Sequence, residues 1–555
     1  MPLGSEPEPR HTKTLHWPAI SLANLDRVRK QRDERCISCN NCSIMDLDHA
    51  ACYRAIATRD VRFDGRLFIG VQTTGIYCRP ICPARTPKID NVIFFRSAAE
   101  AQEAKFRPCL RCRPETAPDF GAWRGTANTV SRALSLIEAG ALDSASIGDL
   151  ANRLGVGERQ LRRLFDKHLG ASPITVAQTR RVLLAKQLIH DTQLSMTDVA
   201  LAAGFGSVRQ FNEVFQRLYG RPPSSLRRAK PPVSAVPAAT EITLRLSYRP
   251  PYDWDGILHY LKTFAIPEVE LVDGLAYCRS IDVDGAVGYI DVRPSSEHSL
   301  EAVVQTPRLA ALPAILMRLR RVFDLSADPE PISRHLAQDP LLAPLVAARP
   351  GLRVPGAWDG FEFAVRILLG EGNGAYPAGT SIRNLVNTYG NSLPVTVSGR
   401  NGLKRIFPRP AVLATADLTL PGISSARASA IAALAQMVSR GRDPFRAGQS
   451  LDDAIAQLKE VPEIDDATAQ YIAMRQFREP DAFPPAVEEF AQLCGREHAP
   501  IRHLSTCIES WRPWRAYAAQ YFWHAQNVSD VEQRAVDPGL PRRPPCLPVN
   551  DPLQA

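Results

Sequence analysis

The chain has 555 residues, 45% of them hydrophobic and 23% charged, which suits an ordinary folded protein of about three to five domains. No run approaches the ~18 consecutive apolar residues of a membrane span. The opening stretch MPLGSEPEPRHTKTLHWPAI lacks an apolar secretory core, which argues against an exported or membrane protein and for a cytoplasmic one. The net charge of +9 is uneven: residues 1–230 carry +13 and residues 231–555 carry −4. A basic front half points to an anionic partner, nucleic acid first, although charge alone also fits a merely solvated surface.

Residues 1–45 show no apolar period. They contain Cys36-x-x-Cys39-x-x-Cys42, a metal-like spacing with no fourth ligand nearby. They read as a disordered or mis-assigned extension, with Met45 as the natural start. Residues 46–118 form a compact mixed segment with strand-like LFIGVQTTGIYC and NVIFF. Residues 122–228 give about seven helical stretches, and 229–240 (KPPVSAVPAAT within it) is a Pro-rich linker. Residues 241–325 alternate as strands in EITLRLSYR, LAYCRSIDV, AVGYIDV and LEAVVQ, with a helix at YDWDGILHYLKTF. A helical region, 326–530, follows, and the Pro-rich tail 531–555 reads as disordered.

Eight of the twelve cysteines lie between Cys36 and Cys112. In a reducing compartment such clustering favours metal over disulfides. Cys78-x3-Cys82 and Cys109-x2-Cys112 each supply a knuckle of two thiolates, the donor set that tetrahedral Zn2+ prefers. By spacing alone this is a structural zinc site. The strings TTGIYCRP and FRPCLRCRPE, however, resemble the N-terminal domain of Ada alkylation-repair proteins over about residues 50–116. The resemblance implies one zinc ion held by Cys78, Cys82, Cys109 and Cys112. It also makes Cys78 the acceptor of a methyl group from a DNA methylphosphotriester, with Thr74, Arg85 and Arg107 as phosphate contacts. A further basic contact of that family falls on Pro83 and is therefore missing.

SIGDLANRLGVGERQLRRLF (146–165) and MTDVALAAGFGSVRQFNEVFQRLYGRPP (196–223) each read as helix, small turn and second helix. Joined by ITVAQTRRVLLAKQLI, they resemble the AraC/XylS domain. Exposed candidates for DNA contact are Arg159, Gln160, Arg162 and Arg163 in the first unit, and Ser207, Arg209, Gln210 and Asn212 in the second.

The back half, 241–528, resembles AlkA, a helix-hairpin-helix DNA glycosylase, through EFAVRILLG, TLPGISSARASAIAALA, TAQYIAMRQFREPDAFP and SWRPWRAYAAQYFW. Tyr471 and Trp514 are the expected base-pocket aromatics. The family's Gly-rich hairpin becomes VPEIDDATA, in which Glu463 and Asp465 replace glycines and Ala467 an aromatic residue. The catalytic Asp column holds Val487, with Glu488 as the nearest substitute, and the usual LGQQVS segment becomes LGEGNGAYP (369–377). A carboxylate beside the hairpin's phosphate repels it.

The expected fold is multidomain and mainly α. It comprises a small zinc-bound α/β domain, an all-α double helix-turn-helix domain, a β-rich AlkA-type lobe and an all-α helix-hairpin-helix domain. The expected function is a regulator of alkylation repair that demethylates phosphotriesters once per molecule, with an impaired glycosylase half. Its expected partners are double-stranded DNA and RNA polymerase. A working 3-methyladenine glycosylase and a non-catalytic lesion sensor stay open as alternatives for the back half.

Overall fold

The structure, a computed structural model, describes residues 49–60, 63–65, 67–117, 128–227, 241–295, 298–369, 380–394, 402–446, 449, 451–483 and 507–536. The Cys36–Cys42 run, Val487, Glu488, most of LGEGNGAYP and the tail lie outside the described residues. No helix among those described is long and apolar enough to cross a membrane.

After helix α1 (His49–Ala57), a four-stranded sheet carries the paired cysteines. Its order is β3 (Val92–Phe95), β1 (Phe68–Val71), β2 (Ile76–Cys78), β4 (Arg107–Pro108). β1 is antiparallel to both β2 and β3, whereas β4 runs parallel to β2 and pairs Tyr77 with Pro108. Helix α2 (Ala98–Glu103), capped by the Ser97 hydroxyl, covers the sheet and buries Ala99 and Ala101. Gly70 is required here, because a Cβ would lie 2.5 Å from the Phe95 ring.

Seven helices follow, as the periodicity predicts: α3 (Asn128–Glu138), α4 (Ala141–Ser144), α5 (Ile147–Arg153), α6 (Glu158–Leu169), α7 (Pro173–Asp191), α8 (Met196–Ala202) and α9 (Val208–Tyr219). Ser146 and Asp149 form a reciprocal capping box on α5, and Ser172, Ser195 and Ser207 cap α7, α8 and α9. α6 and α9 both end on a left-handed glycine, Gly170 (φ +66°) and Gly220 (φ +65°). The two units are thus built on one plan: capped helix, turn, second helix, glycine stop.

The connecting helix α7 differs in kind. It buries Ala177, Val182, Ala185, Leu188 and Ile189 together with Thr179, Lys186 and Gln187, so it is covered on several faces rather than one.

The back half opens with an antiparallel sheet ordered β5 (Glu241–Ser247), β9 (Ser299–Gln305), β8 (Ala286–Ser295), β7 (Ala276–Val283), β6 (Glu270–Asp273). β5 alternates strictly between exposed and buried residues, with Ile242, Leu244 and Leu246 inward. β6 was not anticipated in the sequence. It is four residues long and has no alternation, and only its pairing with β7 defines it.

The helical remainder comprises α10 (Trp254–Thr263), which precedes β6, and then α11 (Leu312–Val322), α12 (Pro329–Leu336), α13 (Ala343–Ala348), α14 (Gly360–Leu368), α15 (Thr380–Tyr389), α16 (Pro410–Leu413), α17 (Ser425–Ser439), α18 (Leu451–Leu458), α19 (Asp466–Ile472) and α20 (Arg515–Val536). One large core binds the later helices around Leu385, Ile431, Met474 and Trp511. A buried charge network ties sheet to helices: Arg279 reaches Glu270 (3.3 Å) and Glu362 (2.8 Å), and Arg366 reaches the same two carboxylates (3.0 and 3.2 Å).

The cysteine module and α7 are joined by a second buried pair. The Lys186 ammonium donates to Glu115 at 2.5 Å and to the Cys109 carbonyl at 2.8 Å, and both side chains are fully buried. Burial pushes the ammonium below its ordinary value and Glu115 pulls it back. Removing one partner of such a pair strands the other charge. Lys186→Met should therefore cost ~3–5 kcal/mol in urea unfolding, whereas Lys186→Met with Glu115→Gln should recover most of that loss. Equal losses in the single and double variants would show that packing, not charge, holds this joint.

Candidate metal centre and DNA-facing surfaces

Cys78 is the last residue of β2. Because β4 lies parallel beside it, Cys109 follows the partner of Tyr77, and its amide donates to the Tyr77 carbonyl at 2.9 Å. A tight turn brings Cys82 back, its amide donating to the Arg79 carbonyl at 3.1 Å. Cys112 is turned inward and accepts from the Arg79 amide at 3.4 Å, while Cys109 accepts from the Arg111 amide at 3.3 Å. The four sulfurs all lie within 4.8 Å of one another.

Four thiolates at that separation repel strongly unless a divalent cation sits among them. With Zn–S near 2.3 Å, tetrahedral geometry needs sulfurs about 3.8 Å apart, within reach of this arrangement. The donor set and its amide hydrogen bonds fit one Zn2+. Cys109 and Cys112 are buried, whereas Cys78 and Cys82 are both partly exposed.

Two buried cations stand behind the centre, and the sequence reading missed both. Arg79 donates to the Cys112 carbonyl at 3.2 Å and to Asp64 at 2.7 Å, while Lys186 holds the Cys109 carbonyl. Each C-terminal ligand is therefore gripped through its backbone by a positive side chain. Arg79 was visible as the residue after Cys78. Lys186 had no local signature, because it arrives from a helix 77 positions away.

The expected phosphate contacts differ in exposure. Thr74 and Arg85 are exposed, and Arg107 is half-buried. Burial lowers the Arg107 guanidinium below its ordinary value. Tyr219 and Cys109 nearby raise it again, and Arg221, just beyond α9, lowers it.

In the first unit Arg159, Gln160, Arg162 and Arg163 are all exposed on α6, with Arg162 paired to Glu158 at 2.6 Å. In the second, Arg209, Gln210 and Asn212 are exposed on α9, and Arg209 pairs with Glu213 at 2.8 Å. Ser207 is also exposed, but its hydroxyl caps α9 by accepting from the Gln210 amide. An exposed groove beside Asn212, Glu213, Gln216, Arg217 and Pro222 continues this face.

In the back half Tyr471 is buried, with its ring 5.6 Å from Phe363 and 5.6 Å edge-on from Trp523. Trp514 instead meets Tyr517 at 6.0 Å. Trp523 is therefore the tryptophan whose ring the structure sets against Tyr471. The two tryptophans share one string, Trp514 directly before α20 and Trp523 within it.

The hairpin between α18 and α19 is formed. Glu463 sits at φ +65°, a conformation natural to glycine and costly by about 1–2 kcal/mol for a residue with a Cβ. Asp465 caps α19, its carboxylate accepting from the Thr468 amide at 2.8 Å. A negative side chain thus occupies one amide at this helix start.

Three family descriptions match the chain: "Metal binding domain of Ada" over residues 51–115, "Helix-turn-helix domain" over 150–229 and "AlkA N-terminal domain" over 243–359. A protein of Mycobacterium tuberculosis (strain ATCC 25618 / H37Rv), "Probable bifunctional transcriptional activator/DNA repair enzyme AlkA", is 37% identical over 481 residues, covering 86% of this chain and 96% of that protein. The Escherichia coli (strain K12) "DNA-3-methyladenine glycosylase 2" is 31% identical over 51% of this chain and 97% of its own length. The Bacillus subtilis (strain 168) "Bifunctional transcriptional activator/DNA repair enzyme AdaA" is 29% identical over 32% of this chain and 81% of its own. Four gathered cysteines, paired helix-turn-helix units and an AlkA-type back half in this order place the chain in the family of bifunctional transcriptional activator/DNA repair proteins that fuse Ada and AlkA modules.

Proposed function

We propose that the chain is a cytoplasmic regulator of alkylation repair that is switched on by its own repair reaction. The gathered sulfurs, with Cys78 and Cys82 both partly exposed, carry this reading. Zinc, when bound, keeps the Cys78 sulfur a thiolate at neutral pH. That sulfur forms a bond to the methyl carbon of a DNA methylphosphotriester, and the carbon–oxygen bond breaks. The electron pair stays on the phosphate oxygen, which restores the anionic diester. Arg79 and Lys186 hold the Cys112 and Cys109 carbonyls still while this occurs. Nothing regenerates the thiolate, so each molecule acts once.

The thioether carries one negative charge less than the thiolate. Repulsion between the module and the phosphate backbone therefore falls, and the helix-turn-helix pair binds its promoter more tightly and recruits RNA polymerase. Methylated protein should bind a duplex selected from a random pool more strongly than unmethylated protein at low salt. The advantage should shrink as salt rises, since each neutralised phosphate contributes about −0.9 to the salt slope. Cys78→Ser should abolish the difference. Identical affinity before and after exposure to methylated DNA would refute the switch.

For the back half we propose a retained fold with impaired base excision. The capped hairpin supports it: Glu463 and Asp465 put carboxylates where a phosphate would dock, and the Asp465 side chain already engages a helix-start amide. Flipping a base costs a few kcal/mol that phosphate and pocket contacts must return. Val487→Asp alone should leave 3-methyladenine release undetectable. Adding Glu463→Gly, Asp465→Gly and Ala467→Trp should produce it. Strong release by the unsubstituted chain, lost in Glu488→Gln, would instead reveal a working glycosylase with a relocated carboxylate.

A further inference from the structure

Every front module touches the back half. β5 contacts both α7 and the turn at residues 114–116 that follows the cysteine knuckle. Helix α8 packs on the turn at 309–311, and α3 packs on α11. Gln187, 3% exposed, donates to the Arg245 carbonyl of β5 at 2.9 Å, while the adjacent Lys186 grips the Cys109 carbonyl. The apolar cores are also merged: Val199, Phe211 and Phe215 of the second helix-turn-helix unit belong to one cluster of buried residues with Leu244, Val304 and Leu312 of the β lobe. Interfaces between independent domains of a chain are more polar and permit relative motion. A shared core does not.

We propose that the glycosylase-like half is the platform on which the zinc module and both helix-turn-helix units are assembled into one DNA-reading body, and that sequence-specific DNA binding depends on it. Two such units reading one face of a duplex must be held about one helical turn, ~34 Å, apart. If their supports moved independently, only the fraction of molecules with the right spacing would bind, and affinity would fall by that fraction. The connecting helix α7 packs on both units, and the β lobe locks that arrangement by seating α3, α7 and α8 at once. This role rests on packing alone and holds whether or not the back half releases bases. It gives the fold a function that the altered hairpin leaves intact.

The test uses the full-length, zinc-loaded chain and a duplex selected for it from a random pool. Ala311→Glu, at a 6% exposed position, sets a carboxylate in the apolar seam under α8, and Gln187→Ala removes the bond to β5 without adding charge. Affinity should fall about tenfold or more in Ala311→Glu and several-fold in Gln187→Ala, while zinc content is unchanged. Undiminished affinity in both variants overturns the proposal. Hydrogen exchange of the unsubstituted chain decides the matter if Ala311→Glu fails to fold. Residues 199–219 should open only together with residues 287–304. Opening of 199–219 while 287–304 stays protected also overturns the proposal.

Discussion

Lys186 and Glu115 meet where neither is exposed, and the ammonium also holds the carbonyl of a metal-ligating cysteine. A buried pair of this kind contributes little net stability by itself, but it permits one geometry, because any other leaves a charge without solvent or partner. It fixes the cysteine knuckle to α7. From α7 the constraint spreads to both helix-turn-helix units and, one residue later, through Gln187 to the first strand of the back half. Among the described residues, the front and back halves are therefore joined by direct packing through α7 and β5.

That arrangement gives the methyl-acceptor chemistry its setting. Behind two of the four sulfurs stand buried ion pairs: Arg79 with Asp64 holds the Cys112 carbonyl, and Lys186 with Glu115 holds the Cys109 carbonyl. On the proposed reading a methylated strand docks on Thr74, Arg85 and Arg107, drawn by the net positive charge of the front half. The back half makes the opposite choice at its hairpin. There a cap carboxylate and a glutamate at positive φ stand at the helix start, and the proposed impairment of base excision rests on their charge.

Much of this was legible in the sequence for a physical reason: short-range constraints leave short-range marks. The knuckles Cys78-x3-Cys82 and Cys109-x2-Cys112, the cap-turn-glycine plan of α5–α6 and α8–α9, and the alternation of β5 all appear within a few residues of one another. What stayed hidden depends on distant partners. β6 exists only through its pairing with β7. Trp523, rather than Trp514, faces Tyr471 because α20 rotates that residue inward. Lys186 reads as one more helix cation until Glu115 is found beside it. Glu463 stands where the family resemblance expects a glycine, and its φ of +65° is a conformation natural to glycine.

The central claim is that Cys78, within the four-sulfur centre, takes the methyl group. Peptide mapping by mass spectrometry, after the zinc-loaded chain is incubated with a duplex bearing methylphosphotriesters, tests it most directly. The account predicts one added methyl per chain, located on Cys78, with Cys82, Cys109 and Cys112 unmodified. A methyl group on another cysteine, or a Cys78 that stays unmodified while the phosphotriesters persist, would contradict it.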